Sequence, residues 1–204
     1  AETDETLPEE QVDPNWETTQ PPSARRYHSI AYDAESQKLV MVGGQSKSTG
    51  DLTTLGRDNT WAYDIKQNAW AWMNPPLEPP KIYGSQLSYD TESDRVIFYG
   101  GVYGLGFEAE GIGDTWAYDY NSNTWEEKSE GPLRRYGARI VYDSESDVMI
   151  IFGGSNWGFS SAGNDVGNTL NETWVFDFNK DDWINVQPDT SPSGRWYQPM
   201  AYDS

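Results

Sequence analysis

Five of the eight arginines fall in three places that resemble one another: Arg25-Arg26-Tyr27, Arg134-Arg135-Tyr136 and Arg195-Trp196-Tyr197. A fourth copy, Lys81-Ile82-Tyr83, keeps the tyrosine. Guanidinium groups beside aromatic rings suit a carboxylate, an acidic peptide or a sugar. The planar fork takes an anion through paired hydrogen bonds, and the rings cover an apolar face. The same arginines could instead satisfy loop carbonyls and neighbouring Asp or Glu, and residue type alone leaves both readings open. In a chain of net charge −19, a cluster of cations is a local exception with a use in either case.

Other chemistry is poorly represented. His28 is the single histidine. Aligned from the arginine end it occupies the place of Gly84 and Gly137, so it reads as a packing residue rather than a general base. Zinc and copper need His or Cys clusters, and the chain has no cysteine. No cofactor is expected. Gly104-Leu105-Gly106 and Gly111-Ile112-Gly113 lack the lysine and helix of a phosphate loop. Residues 163–168 (GNDVGN) offer oxygen ligands for calcium without an EF-hand pattern. Asn171-Glu172-Thr173 fits a glycosylation acceptor.

Composition narrows the partners. The acidic balance repels nucleic acid and anionic lipid. No run of eighteen apolar residues occurs, so no membrane insertion by a helix is expected. Ten Trp and thirteen Tyr are too much aromatic surface for a disordered chain. The polar start at Ala1 is compatible with a mature N-terminus left by a removed signal peptide, and an extracellular or cell-surface location is the expectation.

The elements that must position the arginines come from an internal repeat. RRYHSIAYDAESQKLVMVGG (25–44), KIYGSQLSYDTESDRVIFYGG (81–101) and RRYGARIVYDSESDVMIIFGG (134–154) are one sentence written three times, and GRWYQPMAYDS (194–204) begins it again. The Tyr-Asp pairs end at Asp33, Asp90, Asp143 and Asp203, so the period is 57, 53 and 60 residues, the signature of a repeat architecture. Each copy reads as a strand, a tight polar turn, a strongly apolar strand buried on both faces and a double glycine. A variable loop follows, then a third strand in which aromatics alternate: Trp61-Ala62-Tyr63, Trp116-Ala117-Tyr118 and Trp174-Val175-Phe176. A fourth strand places Trp70, Trp125 or Trp183 nine residues after the first tryptophan. The Asp closing each Tyr-Asp or Phe-Asp pair is expected to accept turn N–H groups.

Four antiparallel strands per unit of about 50 residues make one blade of a propeller. The double glycine, the Trp-x-Tyr/Phe-Asp strand and the second tryptophan resemble kelch repeats, especially the prokaryotic wording RYG…YDxESDxVIxFGG…DTWAYDxxxNTW. The resemblance implies an all-β, kelch-type β-propeller of about three complete four-stranded blades (25–73, 82–128, 135–187), an incomplete ring. Residues 1–15 form an acidic tail or linker, 16–204 the propeller segment, and 195–204 the first strand of a further blade.

On that fold the connectors after strands two and four share one face with the arginines. The candidate ligand-binding set is Arg25, Arg26, Tyr27, Tyr83, Tyr103, Phe107, Arg134, Arg135, Tyr136, Trp157, Arg195, Trp196 and Tyr197. The expected function is a non-catalytic interaction module for a protein or glycan. The resemblance also implies an alternative, part of a sugar-isomerase-like propeller enzyme, for which Glu78, Glu108 or Glu110 are candidates without positional support. The end blades are expected to expose aromatic faces, so further blades must come from the same longer chain or from another subunit.

Overall fold

The computed structural model describes residues 21–46, 59–103, 110–132, 134–156 and 169–203, and every regular element among them is a strand. The first unit contains β1 (Arg25–Arg26), β2 (Ser29–Asp33), β3 (Lys38–Val42), β4 (Gln45–Ser46), β5 (Thr60–Asp64) and β6 (Ala69–Trp72). β2-β3-β5-β6 form a four-stranded antiparallel meander, and β1 pairs with β4 as a short ribbon. β7 (Gln86–Asp90), β8 (Arg95–Tyr103), β9 (Glu110–Asp119) and β10 (Thr124–Lys128) repeat the meander. β11 (Arg139–Asp143), β12 (Val148–Phe152), β13 (Thr173–Asp177) and β14 (Asp182–Val186) repeat it again.

The hairpins are built alike. The Asp that ends the first or third strand accepts N–H groups two or three residues on: Ser36 to Asp33, Lys66 and Gln67 to Asp64, Ser93 to Asp90, Ser122 to Asp119 and Lys180 to Asp177. Four residues after each Asp the backbone turns left-handed, at Gln37, Asn68, Asp94, Asn123, Asp147 and Asp181, with φ between 51° and 55°. Tyr63, Tyr89, Tyr118 and Tyr142 each reach forward five residues to the Asn or Asp there, at 2.6–2.8 Å. Short polar side chains tolerate that conformation, which accounts for the expected turn chemistry.

The sheets stack face to face. Ala31, Val40, Val42, Ala62 and Ala71 of the first sheet meet Leu87, Val96, Phe98, Trp116, Tyr118 and Trp125 of the second. The other face of the second sheet, Ile97, Tyr99 and Ala117, meets Ile140, Met149, Ile151 and Phe176 of the third. Small residues on one side thus accept the aromatics of the next sheet. β7 lies between β2 and β11, so the first strands share an inner edge. The result is three consecutive blades of an unclosed, propeller-like ring.

Three sequence expectations change. Burial of the second strand on both faces holds for β8, where Val96 to Tyr99 are all buried. It does not hold for β12, whose Ile150 and Phe152 are only partly covered, because no fourth sheet stands beside it among the described residues. The double glycine does not end β8. Gly100 and Gly101 form a bulge, and pairing with β9 resumes as far as Tyr103 opposite Glu110. The open end faces are unequally aromatic. The first sheet presents Tyr32, 45% exposed, with Tyr63, Trp70 and Trp72. The third presents the half-buried Phe152 beside the aliphatic row Val141, Ile150, Val175 and Ile184, the last 49% exposed.

Candidate functional site

Counting back from Asp33, Asp90, Asp143 and Asp203 puts Arg25, Ile82, Arg135 and Arg195 at one position of the repeat, and Arg26, Tyr83, Tyr136 and Trp196 at the next. Tyr27, Gly84, Gly137 and Tyr197 share the third, and all four have left-handed φ: 58°, 70°, 66° and 54°. Between the aromatic and the Asp, the first and fourth copies are one residue shorter than the second and third. His28 therefore corresponds to Ser85 and Ala138, correcting its alignment with the glycines. The contacts agree, since Gly44 lies against His28, Gly101 against Ser85 and Gly154 against Ala138.

Of the middle two positions, Gly84 has no room for a side chain, while Gly137 is favoured by its left-handed φ alone, the nearest atoms to a Cβ there being 3.4 Å away or more. A Cβ on Gly84 would stand 2.5 Å from the Tyr136 ring. At the outer two positions tyrosine accepts the strained backbone, an uncommon choice for a bulky residue. The two rings meet: Tyr27 and Tyr197 stack with centroids 6.5 Å apart and planes at 21°. Tyr83 is 6.0 Å from Tyr27 and 6.3 Å from Tyr136, and Tyr136 is 5.1 Å from Tyr197. Four successive repeats thus close a cycle of tyrosines at one end of the inner edge, with Trp196 6.0 Å from Tyr136.

The fourth repeat reaches this cycle without forming a strand. Tyr197 N donates to Gly137 O, as Gly84 N does to Tyr27 O. Gly154 N donates to Arg195 O, as Gly44 N does to Ile82 O. The start of the repeat is docked, while residues 198–203 find no second strand to pair with among the described residues.

The arginines divide. Arg25 Nη1 donates to Gly43 O and Arg135 Nη1 to Gly153 O, both at 3.1 Å, so equivalent arginines tie down equivalent glycine carbonyls. Arg135 is 2% exposed and also bonds Glu172 at 2.8 Å. Arg195 holds Ser193 O and Oγ. Of the three, Arg135 is buried in the scaffold, Arg25 is half-buried and Arg195 is exposed. Arg26 bonds Gln45 and covers the Tyr27 ring at 5.2 Å, and Arg134 is exposed. Tyr103 is exposed at the end of β8, next to Val102, whose backbone pairs with that of Tyr83. Phe107, Trp157, Glu108 and the 163–168 stretch lie outside the described residues.

Sequence reasoning passed over Arg139. Its Nε donates to Gln198 O at 3.0 Å, its Nη1 donates to Gln86 Oε1 at 2.8 Å, and its guanidinium lies 5.7 Å from the centre of the Tyr197 ring. Gln86 and Arg139 occupy one repeat position, four before the Asp. A polar residue at that place in an otherwise apolar strand was the available signal. Tyr27, Ser85, Gln86, Arg139 and Tyr197 help to line a cavity of about 490 Å3 whose described lining contains no carboxylate.

Burial raises the phenol pKa of Tyr83 and Tyr136, and burial with the neighbouring Tyr136 hydroxyl raises that of Tyr197. These hydroxyls stay protonated at neutral pH. Burial and the charge of Arg25 lower the pKa of His28, so its imidazole is neutral. The arrangement brings together two guanidinium groups, Arg26 over Tyr27 and Arg139 over Tyr197, with neutral hydroxyls and aromatic rings. Among the described residues no cluster of three His, Cys, Asp or Glu is arranged to hold a metal.

No protein-family model matches the chain. It is 25% identical over 155 residues to Mei4-dependent protein 6 of Schizosaccharomyces pombe, covering 67% of this chain and 22% of that protein. It is 28% identical over 120 residues to dynein regulatory complex subunit 7 of Chlamydomonas reinhardtii, covering 57% of this chain and 10% of that protein. The chain therefore spans about a fifth of one relative and a tenth of the other.

Proposed function

We propose that this chain is a non-catalytic interaction module of kelch-repeat type. It binds a protein or glycan through the tyrosine cycle and its flanking loops, at an extracellular or cell-surface location. Its open sheet faces take further blades, from the same longer chain or from another subunit. The observation that carries the reading is the convergence of Tyr27, Tyr83, Tyr136 and Tyr197 from four repeats on one point. Rigid aromatic faces held on a strand scaffold supply contact area at little entropic cost. The kelch assignment is supported by the double glycines, the Trp-x-Tyr/Phe-Asp strands and the paired tryptophans falling at equivalent places in three sheets.

Glycan and peptide arrays probed with the chain and with Tyr27→Ala/Tyr197→Ala test the proposal. The expected result is a defined ligand captured by the wild type and lost in the variant. NMR spectra of that ligand should stay unchanged over hours with the protein. Capture unaffected by the variant, or conversion of the ligand, would contradict the reading.

A further inference from the structure

We infer that the cavity behind Tyr27 and Tyr197 is a subsite for a carboxylate-bearing sugar ring, of the uronic acid class. This deepens the binding reading above and rests on it.

Two features of the cavity each ask for one part of such a ligand. The first is charge. In a chain with 33 acidic residues, the described lining carries Arg139 and no carboxylate. Arg139 uses Nε and one N–H of Nη1 on Gln198 and Gln86. Its Nη2 has no partner among the described residues, and a carboxylate oxygen would complete the fork. The second is shape. The Tyr27 ring is 43% exposed and the Tyr197 ring half-buried, and such flat apolar surfaces suit the C–H face of a pyranose. The volume, about 490 Å3, lies within the range of small-molecule sites. A simple dicarboxylate would meet the first demand and leave the second unmet.

The test is titration of the chain with D-glucuronate, its methyl ester, D-glucose and glutarate, followed by ligand-detected NMR or calorimetry. Glucuronate should bind, and each of the other three should be weaker by about tenfold or more. Arg139→Gln should weaken glucuronate by a similar factor and Arg139→Lys by less. Lys180→Ala, which removes a cation from a distant hairpin turn, should change nothing. The ester comparison needs no variant, so a folding defect in Arg139→Gln cannot obscure the answer. Equal binding of the ester or glucose would overturn the role of Arg139. Equal binding of glutarate would overturn the sugar assignment. No binding of glucuronate at roughly 10 mM overturns the inference. If the arrays then still yield a ligand sensitive to Tyr27→Ala/Tyr197→Ala, the broader reading survives; if they yield none, both fail.

Discussion

The indole Nε1 of Trp125 donates to Thr60 Oγ1 across the boundary between the first and second sheets, at 3.0 Å. One repeat later Trp183 does the same to Thr115, at 3.1 Å. In the second and third blades the fourth-strand tryptophan is therefore bonded to the threonine that immediately precedes the third-strand tryptophan of the preceding blade. Trp125→Phe keeps most of the apolar contact and removes the donor. Losing a buried hydrogen bond together with some packing should cost about 1–3 kcal/mol. Denaturant unfolding should show the midpoint falling with an unchanged slope. Thr60→Val, which removes the acceptor instead, should be less than additive with it, because the two residues share one interaction.

Arg135 is fully buried between Gly153 O and Glu172, whereas Arg134 beside it is exposed. Arg135→Ala should destabilise by about 2 kcal/mol or more, since a carbonyl and a carboxylate lose a charged donor. Arg134→Ala should stay within about 0.5 kcal/mol. Thermal melts of the pair separate a scaffold arginine from a surface one, which the sequence Arg134-Arg135 does not.

Glu172 gives a pH dependence. Hydrogen bonds from the Trp174 indole and Arg135 hold its carboxyl below the ordinary glutamate value of 4.5, against the opposing effect of burial. A carboxylate whose pKa is depressed in the folded state adds stability above its unfolded pKa and loses it as pH falls through the folded one. Stability should therefore decline as pH drops below about 4.5, and Glu172→Gln should flatten part of that decline. Urea midpoints from pH 6 down to about pH 3 measure it, with an equally steep fall in Glu172→Gln as the contrary outcome.

The two open faces are predicted to be adhesive and complementary. Ile184 and Val186 occupy the places that Glu126 and Lys128 hold in the middle sheet, so the last strand of the third sheet is more apolar than its counterpart. Residues 49% and 39% exposed there call for a neighbouring sheet. Ile184→Glu/Val186→Lys should reduce self-association of the isolated chain in sedimentation velocity without unfolding it. A wild type that stays monomeric at high concentration would remove the basis for this expectation.

Much of the architecture was legible because repetition multiplies weak local signals. The Asp turns, the apolar second strands and the nine-residue tryptophan spacing each appear in three copies, and each became the element expected. The site was less legible because the first and fourth copies are one residue shorter than the middle two. That shift exchanged Tyr27 with His28 in the alignment and hid the fact that Tyr27 and Tyr197 stand where glycine stands elsewhere. Arg139 was missed because a residue's reach across an axis depends on how blades pack. The paired arginines drew attention by proximity in sequence, yet Arg25 and Arg135 are consumed by glycine carbonyls that only the folded backbone brings near.

The central claim is that Tyr27 and Tyr197 are kept at strained positions for binding rather than for stability. The most direct measurement compares Tyr27→Gly/Tyr197→Gly with Tyr27→Ala/Tyr197→Ala in one thermal melt and one ligand titration. Both pairs lose the rings, so both should lose the ligand. Only glycine relieves the left-handed backbone, worth about 1 kcal/mol per position, so the glycine pair should melt above the alanine pair. Equal melting temperatures, or ligand binding retained in either pair, would contradict the account.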